Sequence, residues 1–213
     1  MTFKKIGIFI LAFFYISLQS CKDNVKLENI LDEKQEQSPS IGTKHFLEED
    51  GIQLQLPDNF KRLSLAKYSE ILNSKSNKNK QILARAELQN SRSLNGNSYI
   101  FYNKADEETY FVNTIPFSEI EKEDAQKLLG IIRQNNKEVA KKHDVKFTKV
   151  TAKFKSITGA QIFKAVFKAD FKKTKTVNYQ HTYYITSNDK SVLLKLITPT
   201  ENSFDKYIEK MIF

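Results

Sequence analysis

Apolar and polar residues alternate along Ile52-Gln53-Leu54-Gln55-Leu56, the two-residue period of a strand with one buried face, and Pro57 ends the run. Asp58-Asn59 reads as a turn. Leu65, Tyr68, Ile71 and Leu72 then recur at helical spacing, and Asn73 to Asn79 forms a polar loop. Ile82, Leu83, Ala86 and Leu88 give a second, shorter helical signal. Asn95-Gly96 punctuates the chain before Tyr99-Ile100-Phe101-Tyr102, and Tyr110-Phe111-Val112 follows, so these two runs read as paired strands. The clearest helix starts at Ser118. Ser118 with Glu121 matches a capping box, in which each side chain bonds a free backbone N–H at the helix start. Glu119, Glu121, Glu123 and Asp124 crowd its first turns and Lys141, Lys142 and His143 its last, as the helix dipole favours. Leu128, Ile131, Ile132 and Val139 form the expected apolar stripe.

Four strand-like runs follow with no helix between them: 146–156, 160–171, 176–186 and 191–198. Thr158-Gly159 and Asn188-Asp189 supply turns, and Lys172 to Lys175 a longer basic one. Links this short join antiparallel neighbours, so the four form a meander. Pro199 stops the last strand, and Phe204, Tyr207, Ile208 and Met211 predict a closing amphipathic helix. The economical packing of these elements is an α+β domain, a mostly antiparallel sheet with flanking helices. The opening Asp50-Gly51-Ile52-Gln53-Leu54-Gln55-Leu56-Pro57-Asp58 resembles the first strand of PsbP-like and DcrB-like domains. So does the tail, with its aromatic strand Tyr183-Tyr184-Ile185, tight turn, Val192 to Thr198, Pro199 and the final helix over 204–212. The resemblance spans roughly residues 50–213 and implies an α/β/α sandwich. It implies little about activity, because that fold serves as an assembly or accessory module in unrelated systems.

The first residues carry a different signal. Lys4 and Lys5 precede an apolar run from Ile6 to Leu18, which closes on Leu18-Gln19-Ser20-Cys21. The run is shorter than the about 20 residues a spanning helix needs. Basic start, apolar core, small residue and cysteine resemble the lipobox of bacterial lipoproteins. That resemblance implies removal of residues 1–20 and a thioether-linked diacylglycerol on Cys21. With the palmitate-type chains of such anchors, two or three in number, membrane attachment is stable. An ordinary secretory signal or an uncleaved anchor would also fit the apolar run, but Cys21 is the chain's one cysteine, and it falls at the boundary. It leaves no thiol for a disulfide, so the fold rests on packing. Lys22-Asp23-Asn24 resembles, incompletely, a signal that sends some Gram-negative lipoproteins to the outer surface. The expected location is therefore the cell envelope at the outer membrane, facing the periplasm or the surface.

Residues 21–50 read as the lipidated cysteine and a polar tether, and residues 51–213 as a single α+β domain. Charge separates the two. The tether holds four lysines against eight acidic residues, whereas the stretch from Gly51 holds 28 basic against 17 acidic residues. A basic exported domain favours anionic partners such as lipid head groups or acidic glycans, and nucleic acid is not expected there.

No catalytic or cofactor motif stands out. His45, His143 and His181 lack a second ligand at metal spacing, so neither a metal site nor a cofactor is expected. His181 is in phase with Val177, Tyr179, Tyr183 and Ile185 and reads first as a hydrogen-bonded core histidine. Asp106-Glu107-Glu108 reads as a solvated hairpin turn. There is no Gly-x-Ser-x-Gly and no phosphate-cradling glycine loop, and the chain has only 6 glycines from which to build one.

One surface is distinctive. Strand phase separates Phe163, Ala165, Phe167, Ala169 and Phe171 from Lys164, Lys168 and Lys172, and likewise Val150, Ala152 and Phe154 from Lys149, Lys153 and Lys155. Pairing across Thr158-Gly159 sets lysines beside lysines, which destabilises a sheet unless something negative faces them. An anionic partner would supply that charge, and so would acidic residues from a covering helix. The plainer reading, and the preferred one, is a soluble face whose lysines block edge-to-edge aggregation. Three functions follow in order of preference: a non-catalytic module that engages an envelope protein, a binder of anionic glycan or lipid through these lysines, and a hydrolase using His181.

Overall fold

The structure, a computed structural model, describes residues 42–74, 81–157 and 159–213. Most of the polar loop after Asn73, and Thr158, lie outside the described residues.

Seven strands form one antiparallel sheet. In chain order these are β3 (Lys61–Leu63), β4 (Ser98–Asn103), β5 (Glu108–Ile115), β6 (Val145–Ile157), β7 (Ala160–Phe171), β8 (Thr176–Ser187) and β9 (Lys190–Thr198). Their spatial order is β3-β4-β5-β9-β8-β7-β6. The meander thus turns back at β9 to pair with β5, and this joins the two strand groups that the hydrophobic pattern shows separately. The β8–β9 turn is closed by Asn188 and Asp189, both with positive φ, the mirror-image geometry that suits a two-residue hairpin. Gly96 sits at φ +113, where a Cβ would meet the Thr114 carbonyl oxygen at 1.9 Å, so glycine alone fits.

A separate hairpin, β1 (Thr43–Leu47) and β2 (Ile52–Leu56), packs on one face of the sheet. The folded domain therefore starts earlier than Gly51. Leu47 is fully buried, and Asp50 accepts hydrogen bonds from Tyr99 Oη at 2.5 Å and Asn97 Nδ2 at 3.2 Å. The polar composition of residues 22–50 hides this, because β1 contributes its apolar side chains through pairing with β2 rather than through a strong pattern of its own. The C-terminal segment covers the rest of that face. Its helix α4 is a single turn (Asp205–Ile208), not the helix over 204–212 that the spacing predicts. Gln53 exchanges both backbone hydrogen bonds with Ile212, which ends the helix and ties the tail to β2.

Three helices cover the opposite face: α1 (Leu65–Ser74), α2 (Ile82–Ser93) and α3 (Asp124–Lys142). The α+β, mostly antiparallel architecture expected from the pattern is the one observed. α3 differs in two respects. It starts at Asp124, without the Ser118–Glu121 box, because Ser118 is engaged elsewhere: its N–H donates to Ser191 Oγ, and its carbonyl accepts from Tyr184 Oη. Of its expected stripe, Leu128, Ile132 and Val139 pack half-buried against the core, and Ile131 does not. Leu129 and Asn136 face the sheet, while Ile131 is 58% exposed.

Under α1, Tyr68 Oη and Thr109 Oγ1 meet at 2.7 Å, both buried, and burial holds the phenol well above its usual pKa. Tyr68→Phe is expected to cost about 1 kcal/mol, the net value of a buried neutral hydrogen bond, read as a lowered urea midpoint. An unchanged midpoint would mean that Thr109 finds another partner.

Candidate functional site

The six lysines of the sequence-predicted face do not all share one exposed surface. A β-bulge between Lys149 and Thr151 shifts the phase of β6, so Lys149 lies opposite Phe167 on the helix-covered face. Alternation read straight through the bulge gives the wrong side for this residue. Lys153 pairs directly opposite Lys164, and Lys155 opposite Ile162, on the hairpin-covered face. Lys168 is half-buried and bridges to Asp170 at 3.2 Å, and Lys172 is exposed in the turn after β7. Lys164 is only 7% exposed.

What buries Lys164 is the C-terminal segment. Asp205, the first residue of α4, sits over β7 and β8. Its Oδ2 accepts from Lys164 Nζ at 2.5 Å and its Oδ1 from Tyr183 Oη at 2.7 Å. The Lys164 ammonium also lies 5.8 Å from the centre of the Tyr183 ring. The like-charge cost of the Lys153–Lys164 pair is thus met from within, by an acidic residue of the covering helix.

His181 lies one row along the same face. It is 2% exposed, packs edge-on to Phe204 at 5.6 Å, and neither ring nitrogen has a hydrogen-bond partner. The inward phase expected for it is observed, but the hydrogen bond is not. Burial, reinforced by the nearby Lys164 charge, depresses its pKa to about 4. His45 packs tilted against Phe101, ring centres 4.8 Å apart, and His143 caps the C-terminus of α3 through its backbone N–H to the Val139 carbonyl. Asp106-Glu107-Glu108 is not wholly solvated, since Glu108 is buried, accepts from Thr198 Oγ1 at 2.7 Å, and has its carboxyl pKa raised by burial. Among the described residues no three His, Cys, Asp or Glu side chains converge on a metal-sized site. Cys21 lies outside the described residues.

The other face carries a polar cleft that the hydrophobic pattern obscures. α2 and α3 stand apart over the centre of the sheet. Between them runs a groove of about 740 Å³, with Arg85, Gln89 and Asn90 on one wall and Asn135, Glu138 and Lys142 on the other. Below it lies a recess of about 20 Å³, floored by Gln180, Thr182 and Lys195 and walled by Glu87 and Asn136. Lys195 Nζ donates to Glu87 Oε2 at 2.8 Å, a second buried ion pair. Each of these residues occupies a position where periodicity calls for an apolar side chain. Glu87 is four residues after Leu83, Asn136 four after Ile132, and Lys195 sits between Leu193 and Ile197 on the inward phase. Polar residues on apolar phases are the signal that could have found them.

The chain matches no protein-family model and no curated protein. Among solved structures it is similar to the solution structure of cyanobacterial PsbP (CyanoP) from Synechocystis sp. PCC 6803, with a TM-score of 0.50, 12% identity, and coverage of 86% of this chain and 99% of that one. A Pseudomonas aeruginosa protein of unknown function aligns over 75% of this chain and 83% of its own, at 12% identity and a TM-score of 0.29. The fold is PsbP-like.

Proposed function

We propose that this chain is a lipid-anchored protein of the bacterial cell envelope, held through Cys21, whose domain works as a non-catalytic accessory module that engages an envelope partner. The observation that carries the reading is the lone cysteine at the end of a basic-then-apolar leader. The geometry of the domain favours binding over chemistry. Lys164, Asp205 and Tyr183 saturate one another under α4, and His181 is sealed beneath Phe204 with no part in the groove or recess described above. The anion-binding lysine face is the weaker alternative, because Lys164 is spent internally and Lys149 faces the other way.

Intact mass of the protein extracted from a Gram-negative membrane tests the anchor. The expected mass lacks residues 1–20 and carries two or three acyl chains, and Cys21→Ala moves the protein from the membrane pellet to the soluble fraction. An unmodified Cys21, or a Cys21→Ala variant that still sediments with membranes, would overturn the reading.

A further inference from the structure

The recess between α2 and α3 holds three polar atoms without partners: Glu87 Oε1, Asn136 Nδ2 and Gln180 Oε1. Their residues are 1%, 5% and 9% exposed. Buried polar atoms are ordinarily paired, and each left alone costs about 1–3 kcal/mol. Three on one recess, at the foot of a groove, mark a place built to receive a hydrogen-bonding group.

The chemistry of the walls narrows the class. An anion would face two acceptor oxygens, an ammonium group would meet Lys195, and an apolar group would leave all three atoms unsatisfied. A hydroxyl donates once and accepts twice, so it can accept from Asn136 and donate to an acceptor beside it. The recess, at about 20 Å³, has room for one group the size of water. Above it the groove carries four carboxamides, Asn73, Gln89, Asn90 and Asn135, which donate and accept as sugar hydroxyls do, beside Arg85, Glu138, Lys142 and His143 and the apolar Ile82, Ala86 and Val139. We propose that the α2–α3 groove binds a neutral glycan, one hydroxyl of which seats in the recess against Asn136, Gln180 and Glu87. This site is distinct from the lysine face in location and in charge, and it does not depend on the lipid anchor.

The test uses the full chain in a zwitterionic detergent without a sugar head group, titrated with neutral oligosaccharides (maltohexaose, N-acetylchitohexaose, a mannose oligomer) and with heparin as the anionic control. Side-chain amide signals are followed by NMR. The expected result is saturable movement of the Asn136 and Gln180 side-chain amides with one neutral oligosaccharide, unchanged between 50 and 500 mM salt. Asn136→Leu should weaken that binding at least tenfold while the protein stays folded by circular dichroism. Should Asn136→Leu fail to fold, Asn135→Ala, at the exposed rim, should weaken it severalfold. Absence of movement with every neutral probe would overturn the proposal and assign the recess to bound water alone. So would salt-sensitive binding of heparin only, or an Asn136→Leu variant that binds as the parent does.

Discussion

Asp205→Ala is expected to lower the free energy of unfolding by about 3–5 kcal/mol, the penalty for stripping one partner from a buried ion pair. The reason is the position of Lys164. Its ammonium is packed under α4, so once the carboxylate is gone it has neither water nor a counter-charge, and Tyr183 Oη loses its acceptor as well. Domains of this size have only about 5–15 kcal/mol to lose, so the variant is expected to be partly unfolded at moderate temperature. Asp205→Asn keeps an acceptor for Tyr183 but leaves the charge, and should recover little. Replacing the triad together (Lys164→Met, Tyr183→Phe, Asp205→Leu) should restore most of the loss, since matched apolar groups substitute well for buried ions. Urea unfolding followed by far-UV circular dichroism reads all three, as the chain has no tryptophan. A loss below about 1 kcal/mol in Asp205→Ala, the value of an exposed pair, would mean that Lys164 reaches water.

The second large effect depends on pH. His181 is buried neutral, with a pKa of about 4 against an ordinary value of 6.5. Between those values the unfolded chain binds a proton that the folded chain does not, so stability is full above pH 6.5 and falls as pH drops toward 4. At 1.36 kcal/mol per pH unit the loss by pH 4 is about 3 kcal/mol. Carboxylates titrate over part of the same range, so the measurement is a difference: urea midpoints of the parent and of His181→Leu at pH 7, 6, 5 and 4. The variant is expected to match or exceed the parent at pH 7, because it removes two unpartnered ring nitrogens, and to gain on it steadily as pH falls. Parallel pH profiles would show that the folded chain takes up the proton at His181 as readily as the unfolded chain does, and would overturn the reading of a sealed imidazole.

These two residues show what the sequence reveals and what it conceals. The inward phase of His181 is legible from the alternation of Tyr179, Tyr183 and Ile185, and the lysine-on-lysine conflict between β6 and β7 is legible from their pairing. The solution to that conflict is not. Asp205 lies 41 residues from Lys164, in a segment whose apolar spacing predicts a longer helix, and only the tertiary path of the tail brings it over the sheet. Bulges are invisible to a period-two count, which is why Lys149 changes side. The groove was hidden for a different reason. Asn136 and Glu87 interrupt apolar stripes that are otherwise sound, and a stripe with one polar member still reads as core.

The β2–tail bridge and the Asp205 latch also set a timetable. A chain leaves the ribosome amino end first. The strands β5, β9, β8 and β7 are therefore all made before residues 199–213, yet their shared apolar face is closed only when Phe204, Ile208 and Met211 arrive. Until then Lys164 is neither covered nor paired, and the hairpin β1–β2 lacks its backbone partner Ile212. This face of the sheet is therefore complete only once the β1–β2 hairpin and residues 204–213 meet.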